Sequence, residues 1–481
     1  MGGITKRSSA ALALALVVLA AAILALAAVS RAEEKPCLAC HESFSPGIVG
    51  QWRDSKHSGA GVSCFDCHGA EKADPDAFDH YGETIAIIVS PKDCSGCHIK
   101  EFTEQKGSHH AKAGQILGSL DNLLGEVVGG EPAVNAGCRQ CHGGIVKVGS
   151  DGRPTPDTWP NTGMGRINPD GSWGSCSACH ARHEFSVMQA RQPEACGKCH
   201  LGPDHPQIEV WNESKHGILY HANREKLKLD SDVWRAGQEY FTGPTCASCH
   251  MSAAGKQPVT HDVGERISWT LRPPISVKLN MVAYEDDTKD DILGENPALP
   301  AVGAMDRTKD GGMKKVKAVL TWNERRSRMQ EICMQCHEKS FVAGAYVQFD
   351  EVVLLYNDKF AKPARAIIEE LKKAKVISEP DFDDPIEWTW YEIWHHEGRR
   401  ARHGAAMQGP DYTWWHGMYE VAKHFYTRFI PELKEVAGEK MADDLLRKYV
   451  YTQTGHLWHR DGMSKEALEK IQKFYKDRYS Q

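Results

Sequence analysis

Two cysteines separated by two residues and followed at once by a histidine recur eight times along this chain of 481 residues. The sets are Cys37, Cys40 and His41; Cys64, Cys67 and His68; Cys94, Cys97 and His98; Cys138, Cys141 and His142; Cys176, Cys179 and His180; Cys196, Cys199 and His200; Cys246, Cys249 and His250; and Cys333, Cys336 and His337. Together they use all 16 cysteines. In such a unit the two sulfurs form thioethers to the vinyl groups of a porphyrin, and the histidine binds iron from one face. A zinc site or a disulfide framework has no need of a histidine after every second cysteine. The chemistry expected is therefore that of eight covalently attached c-type haems with their iron.

Eight of the 24 histidines belong to these motifs, leaving sixteen, enough to give every iron a second histidine. The candidates with local context are His57 and His216, which share a Trp-x-x-Ser-Lys-His pattern, one of His109 and His110, His183, His261, His403 and His416. A surface or core role stays open for each, less so for the two that share a pattern. An iron with histidine on both faces carries electrons, whereas catalysis needs a vacant face lined by groups that exchange protons. Asp204 and His205, just after the sixth motif, suit that lining. The alternative is that His205 is a further distal ligand and Asp204 caps a turn.

The elements that must hold these groups follow from composition. With 41% hydrophobic residues, 43 glycines and 23 prolines, the chain has modest apolar content and many loop formers. Porphyrin plates supply apolar surface in place of side chains. The fold class expected is mainly α, a multihaem cytochrome with a haem-packed core, a C-terminal bundle of long helices, and little or no sheet. Lys6 and Arg7 precede an apolar run from Ala10 to Val29 and the small-residue stretch Ser30-Arg31-Ala32. That pattern predicts a signal peptide over 1–32, with an uncleaved anchor at 10–29 as the alternative, and export to a periplasm or an equivalent compartment. Residues 33–350 are predicted to bind the haems and 351–481 to form the helical domain. Asp151–Trp173 and Pro273–Gly312 read as excursions, the second a polar surface insertion. Helices are expected over Ala361–Lys375, Ile386–Gly404, Tyr412–Phe429 and Ile430–Tyr451. The net charge of -6 argues against nucleic acid as a partner and is compatible with a basic redox protein.

Four passages carry a resemblance to a known family. They are Cys-His-Ala-Arg-His-Glu-Phe from Cys179, Gly-Pro-Asp-His ending at His205, Trp-Pro-Asn-Thr-Gly-Met-Gly-Arg over Trp159–Arg166, and the stretch from His395 through Tyr412 to Glu420. Together they resemble octahaem hydroxylamine oxidoreductase over essentially the whole mature chain. The resemblance implies a trimer whose fourth haem, here on Cys138, Cys141 and His142, is catalytic and cross-linked to a tyrosine of the neighbouring subunit. Tyr412 matches that tyrosine, and Asp204 and His205 match the acid/base pair. The activity implied is oxidation of hydroxylamine to nitric oxide or nitrite, with electrons passing through seven bis-histidine haems to a cytochrome c or quinone-linked acceptor. Hydrazine oxidation would use the same parts. A reductase forming ammonia from nitrite or hydroxylamine, and a conduit with all eight irons doubly ligated by histidine, are the alternatives.

Overall fold

A computed structural model describes residues 37–118 and 124–480. The predicted signal segment, 1–32, lies outside the described residues. About 53% of the structure is helical. Each motif is wound into a short helix or turn, such as Cys64–His68 and Cys246–His250, whose first turns are capped by Ser63 and Thr245. Between residues 37 and 200 buried apolar side chains are few and scattered, Val49, Ile88, Val134 and Val146 among them. A stretch that buries so little of its own apolar surface leaves room for plates that bury theirs.

The largest apolar cluster lies wholly between Tyr356 and Val450 and includes Phe360, Ile367, Ile393, Phe425, Leu433 and Leu446. After α1 (Lys339–Leu355), the cluster draws on α2 (Lys362–Lys373), α3 (Gly398–Met407) and α4 (Ile430–Tyr449). In α2 the buried positions Ala364, Ile367, Ile368 and Leu371 recur at three and four residues, giving one apolar stripe. The expected helices are present, but π-helical turns interrupt them at Tyr356–Ala361, Glu392–Glu397, Trp414–Met418 and Phe425–Phe429. A final helix, α5 (Lys465–Tyr479), buries none of its residues.

The expectation of little or no sheet holds only roughly. β1 (Phe78–His80) and β2 (Glu83–Ile85) form a hairpin. The stretch read as a surface insertion supplies three strands of a four-stranded antiparallel sheet, which the residues just after it complete, in the order β4 (Lys289–Leu293), β3 (Leu279–Tyr284), β6 (Met313–Leu320), β5 (Met305–Arg307). Only β3 is buried along most of its length, and Val282, Tyr284 and Val316 make a small core of their own. The charged outer strands hid the sheet, because runs such as Lys289-Asp290-Asp291 and Asp306-Arg307 read as polar loop until a buried strand pairs with them.

Candidate haem sites and the proton-handling cluster

Five motif histidines face a second histidine across a gap of constant width. Ring centres lie 6.1 Å apart for His41 and His80, 6.2 Å for His98 and His57, 6.3 Å for His68 and His183, 6.0 Å for His200 and His110, and 5.9 Å for His337 and His216. Two imidazoles bound to one metal at about 2.0 Å per nitrogen put their ring centres about 6 Å apart, so these pairs fit an iron between them. The Nδ1 atoms of His68 and His250 lie 2.9 and 3.1 Å from the carbonyls of Ala86 and Val263, which as hydrogen-bond acceptors leave Nε2 free for the metal.

His80 is missing from the sequence-based candidates because it has no shared pattern around it. Only pairing of β1 with β2 aims it at His41. Of His109 and His110, the ring facing a motif histidine is that of His110, and burial pushes it down to about 3. His109 is instead held by Asp291 at 2.9 Å. His261 stands 3.7 Å from Glu104 and is the first histidine, after burial itself, to lower His180. Half-exposed His416 contacts Asp411 at 3.2 Å, and buried His403 lies 3.4 Å from the amide nitrogen of Gln207.

Sulfur neighbours give the order of the motifs in space. The thiols of Cys94 and Cys176 are hydrogen-bonded, as are those of Cys196 and Cys246, and of Cys141 and Cys199. Burial first, and then a thiol of another motif, raises Cys64 beside Cys37, Cys67 beside Cys94, Cys179 beside Cys196 and Cys249 beside Cys333. The motifs thus run one, two, three, five, six, seven, eight, with motif four joined to six.

Motif four is gripped by Trp159–Arg166. Thr162 donates its hydroxyl to the Gln140 carbonyl at 3.2 Å, and the amides of Met164 and Gly165 donate to the carbonyls of Cys141 at 3.0 Å and His142 at 3.1 Å. A methyl group on Gly165 would come within 2.4 Å of the Gly114 nitrogen and 2.8 Å of the His142 oxygen, so this clasp closes only around glycine.

The loop after motif six brings the candidate acid and base together. His205 Nδ1 lies 2.7 Å from the Leu201 carbonyl and 3.4 Å from Asp204 Oδ1. The other Asp204 oxygen lies 3.5 Å from the guanidinium of Arg399, which is buried on α3 and also donates to the Arg272 carbonyl at 2.8 Å. His396 belongs to the same cluster: burial lowers it and the Asp204 charge opposes the shift. Sequence reasoning missed Arg399 and His396 as partners of Asp204, since nearly two hundred residues intervene. His200 faces both His110 and His205, the latter at 6.1 Å. One iron accepts one opposing ligand. The buried His110 suits that place, leaving His205 beside the loop carbonyl.

Tyr412 sits on the turn that α3 packs against, where a methyl group on Gly404 would meet the Thr413 nitrogen at 2.5 Å. Burial, then Glu213 and Glu209, raises the Tyr412 phenol. Its neighbours Trp414, Trp415 and Tyr419 are exposed.

Comparison with known proteins agrees with this architecture. The family model described as "Seven times multi-haem cytochrome CxxCH" matches residues 169–292, and that for "Cytochrome c7 and related cytochrome c" matches 128–201. A curated relative, the "Probable nitrite reductase-hydroxylamine oxidoreductase fusion protein" of Kuenenia stuttgartiensis, is 27% identical over 382 residues, which is 72% of this chain. This chain spans only 38% of that relative's length. A solved structure titled "Hypothetical multiheme protein" superposes with a TM-score of 0.67 at 25% identity, covering 87% of this chain and 96% of the other. A reducing HAO-like protein complex of Kuenenia stuttgartiensis shares the fold with a TM-score of 0.58 at 19% identity, over 83% of this chain and 84% of that one. Among the described residues no helix is long and apolar enough to cross a membrane. The motifs, the two matched cytochrome models and the fold are all similar to those of multihaem c-type cytochromes, whose repeated units hold covalently bound haem.

Proposed function

We propose that this protein is an exported octahaem enzyme that oxidises hydroxylamine to nitric oxide or nitrite at its fourth haem. Residues 33–350 carry the haems and 351–481 form a helical domain. The observation that carries the reading is the Asp204–His205–Arg399 cluster, on the loop that follows the one motif whose cysteine touches motif four. The haem on Cys138, Cys141 and His142 supplies, when bound, an iron that holds the substrate nitrogen and takes its electrons. Each oxidative step releases protons, and His205 stands ready for them. With Nδ1 engaged by the Leu201 carbonyl, its Nε2 is the basic nitrogen. Asp204 then stabilises the imidazolium, and Arg399 holds the carboxylate in place.

Tyr412, on a turn rimmed by exposed Trp414 and Trp415, is suited to reach the catalytic haem of a neighbouring subunit, which is the basis for proposing a homotrimer. Electrons leave for a cytochrome c or a quinone-linked acceptor. Hydrazine is an alternative substrate of the same parts. The reductive reading, nitrite or hydroxylamine to ammonia, is favoured by the words nitrite reductase in the name of the curated relative. Mass spectrometry of the protease-digested holoprotein distinguishes the two. A haem peptide holding Cys138–His142 joined to a Tyr412 peptide is expected for the oxidase, whereas a free Tyr412 peptide from fully haem-loaded protein overturns it in favour of reduction.

A further inference from the structure

The passage Trp159–Arg166 holds motif four through its backbone, yet its last side chain serves something else. Arg166 is only 2% exposed, and each nitrogen of its guanidinium group meets a neutral oxygen. Nε donates to Asn168 Oδ1 at 2.6 Å, Nη2 to the Val89 carbonyl at 3.0 Å and Nη1 to the Asn161 carbonyl at 3.4 Å. The guanidinium carbon lies 5.8 Å from the centre of the Trp159 ring, so the two ends of the passage meet. Among the described residues no carboxylate forms an ion pair with it. The charges that bear on it are Arg182 and Asp170, of opposite sign, and Asp170 is engaged by the Ser90 hydroxyl at 2.6 Å and the Ser172 amide at 2.8 Å. Burial first, then Arg182, lowers the guanidinium to about 10, so it is charged at neutral pH. A buried charge without an opposite partner is costly, and a neutral amide could donate to some of the same oxygens without that cost.

The charge stands between two motifs. Val89 precedes Ser90, which caps the helix Pro91–Cys94 at the entry to motif three. The Arg166 carbonyl accepts the Gly174 amide at 2.7 Å, and Asn168 donates to the Gly174 carbonyl at 3.1 Å, at the entry to motif five. These motifs are themselves neighbours through the hydrogen bond between Cys94 and Cys176, and both sulfurs lie in the field of Arg166.

We propose that Arg166 is a fixed positive charge that raises the reduction potentials of the haems on motifs three and five. A ferric haem carries one more positive charge than a ferrous one, so a neighbouring cation favours the reduced state. A protein interior screens that interaction far less than water and salt do. Protein groups close over the guanidinium on every side, which keeps solvent anions and haem propionates from cancelling its charge. In the spatial order of the motifs, three and five lie on the arm that leads from six to one. Raised potentials there make a sink that holds electrons on that arm. The inference rests on haem attachment at these two motifs and not on the substrate or the direction of the reaction.

The test is a spectroelectrochemical titration of the intact holoprotein, with haem content checked by absorbance. Arg166→Gln is expected to move two one-electron steps to lower potential, each by at least about tenfold in the reduction equilibrium, which is about 59 mV, and to leave the others in place. Arg166→Lys, which keeps the charge and loses the fork, should titrate like the parent. Asp170→Asn, which removes the opposing charge, should move the same steps to higher potential, a sign that loosened packing does not predict. An unmoved titration in fully haem-loaded Arg166→Gln overturns the proposal, as does a shift in Arg166→Lys equal to that in Arg166→Gln. Where Arg166→Gln fails to accumulate, Asp170→Asn decides, and potentials that stay in place or fall overturn the proposal.

Discussion

His456 has no place at an iron, and its acidity can be read as a stability term. It is fully buried, with Tyr426 Oη 2.7 Å from Nδ1 and the Lys359 carbonyl 2.8 Å from Nε2. Burial first pushes it down to about 4, so it is neutral in the folded chain at pH values where an exposed histidine would be charged. The unfolded chain therefore binds the extra proton between about pH 6.5 and 4, and stability falls as pH drops through that window. The loss amounts to about 3 kcal/mol, on the usual 1.36 kcal/mol per unit. His456→Gln is expected to lower stability at neutral pH and to flatten its decline below pH 6.5, measured by denaturant unfolding across pH. The same scale shows why residue types alone carried the haem reading so far. The cysteines and their histidines are contiguous, so attachment was legible, whereas His80 needs a strand pairing and Arg399 needs α3 before either reaches its partner.

Among the elements, the clasp over Trp159–Arg166 does most for motif four. Its amides cap two motif carbonyls, and the contact is too close for any side chain at Gly165. Gly165→Ala is expected to cost about 1–3 kcal/mol through overpacking, seen as a lowered thermal midpoint with less haem attached at Cys138 and Cys141 on peptide mapping. The C-terminal helices were legible from apolar periodicity, as in Ala364, Ile367, Ile368 and Leu371. Their π-helical turns were not, because one inserted residue shifts the register without changing composition. The four-stranded sheet escaped notice for a related reason. Lys289, Asp290 and Asp291 of β4 are polar by themselves, and only the buried β3 beside them makes a strand of that run.

For the whole molecule, the order of motifs in space matters more than their order in sequence. Motif six borders five, seven and four through Cys196 and Cys199. His110→Ala, which removes the ring facing His200, is expected to convert one low-spin haem to high-spin in the electron paramagnetic resonance spectrum and to slow reduction of both arms by hydroxylamine. His109→Ala, acting on a ring held by Asp291, should leave both readouts unchanged. An unchanged spectrum in His110→Ala would count against the pairing with His200. The junction also bears on a reaction that yields several electrons per turnover. A linear wire is a single-file queue, in which the second carrier waits for the first to clear. A fork placed one step from the source is a buffer: one arm can store a charge while the other drains, so the pace of the external acceptor need not be the pace of the chemistry.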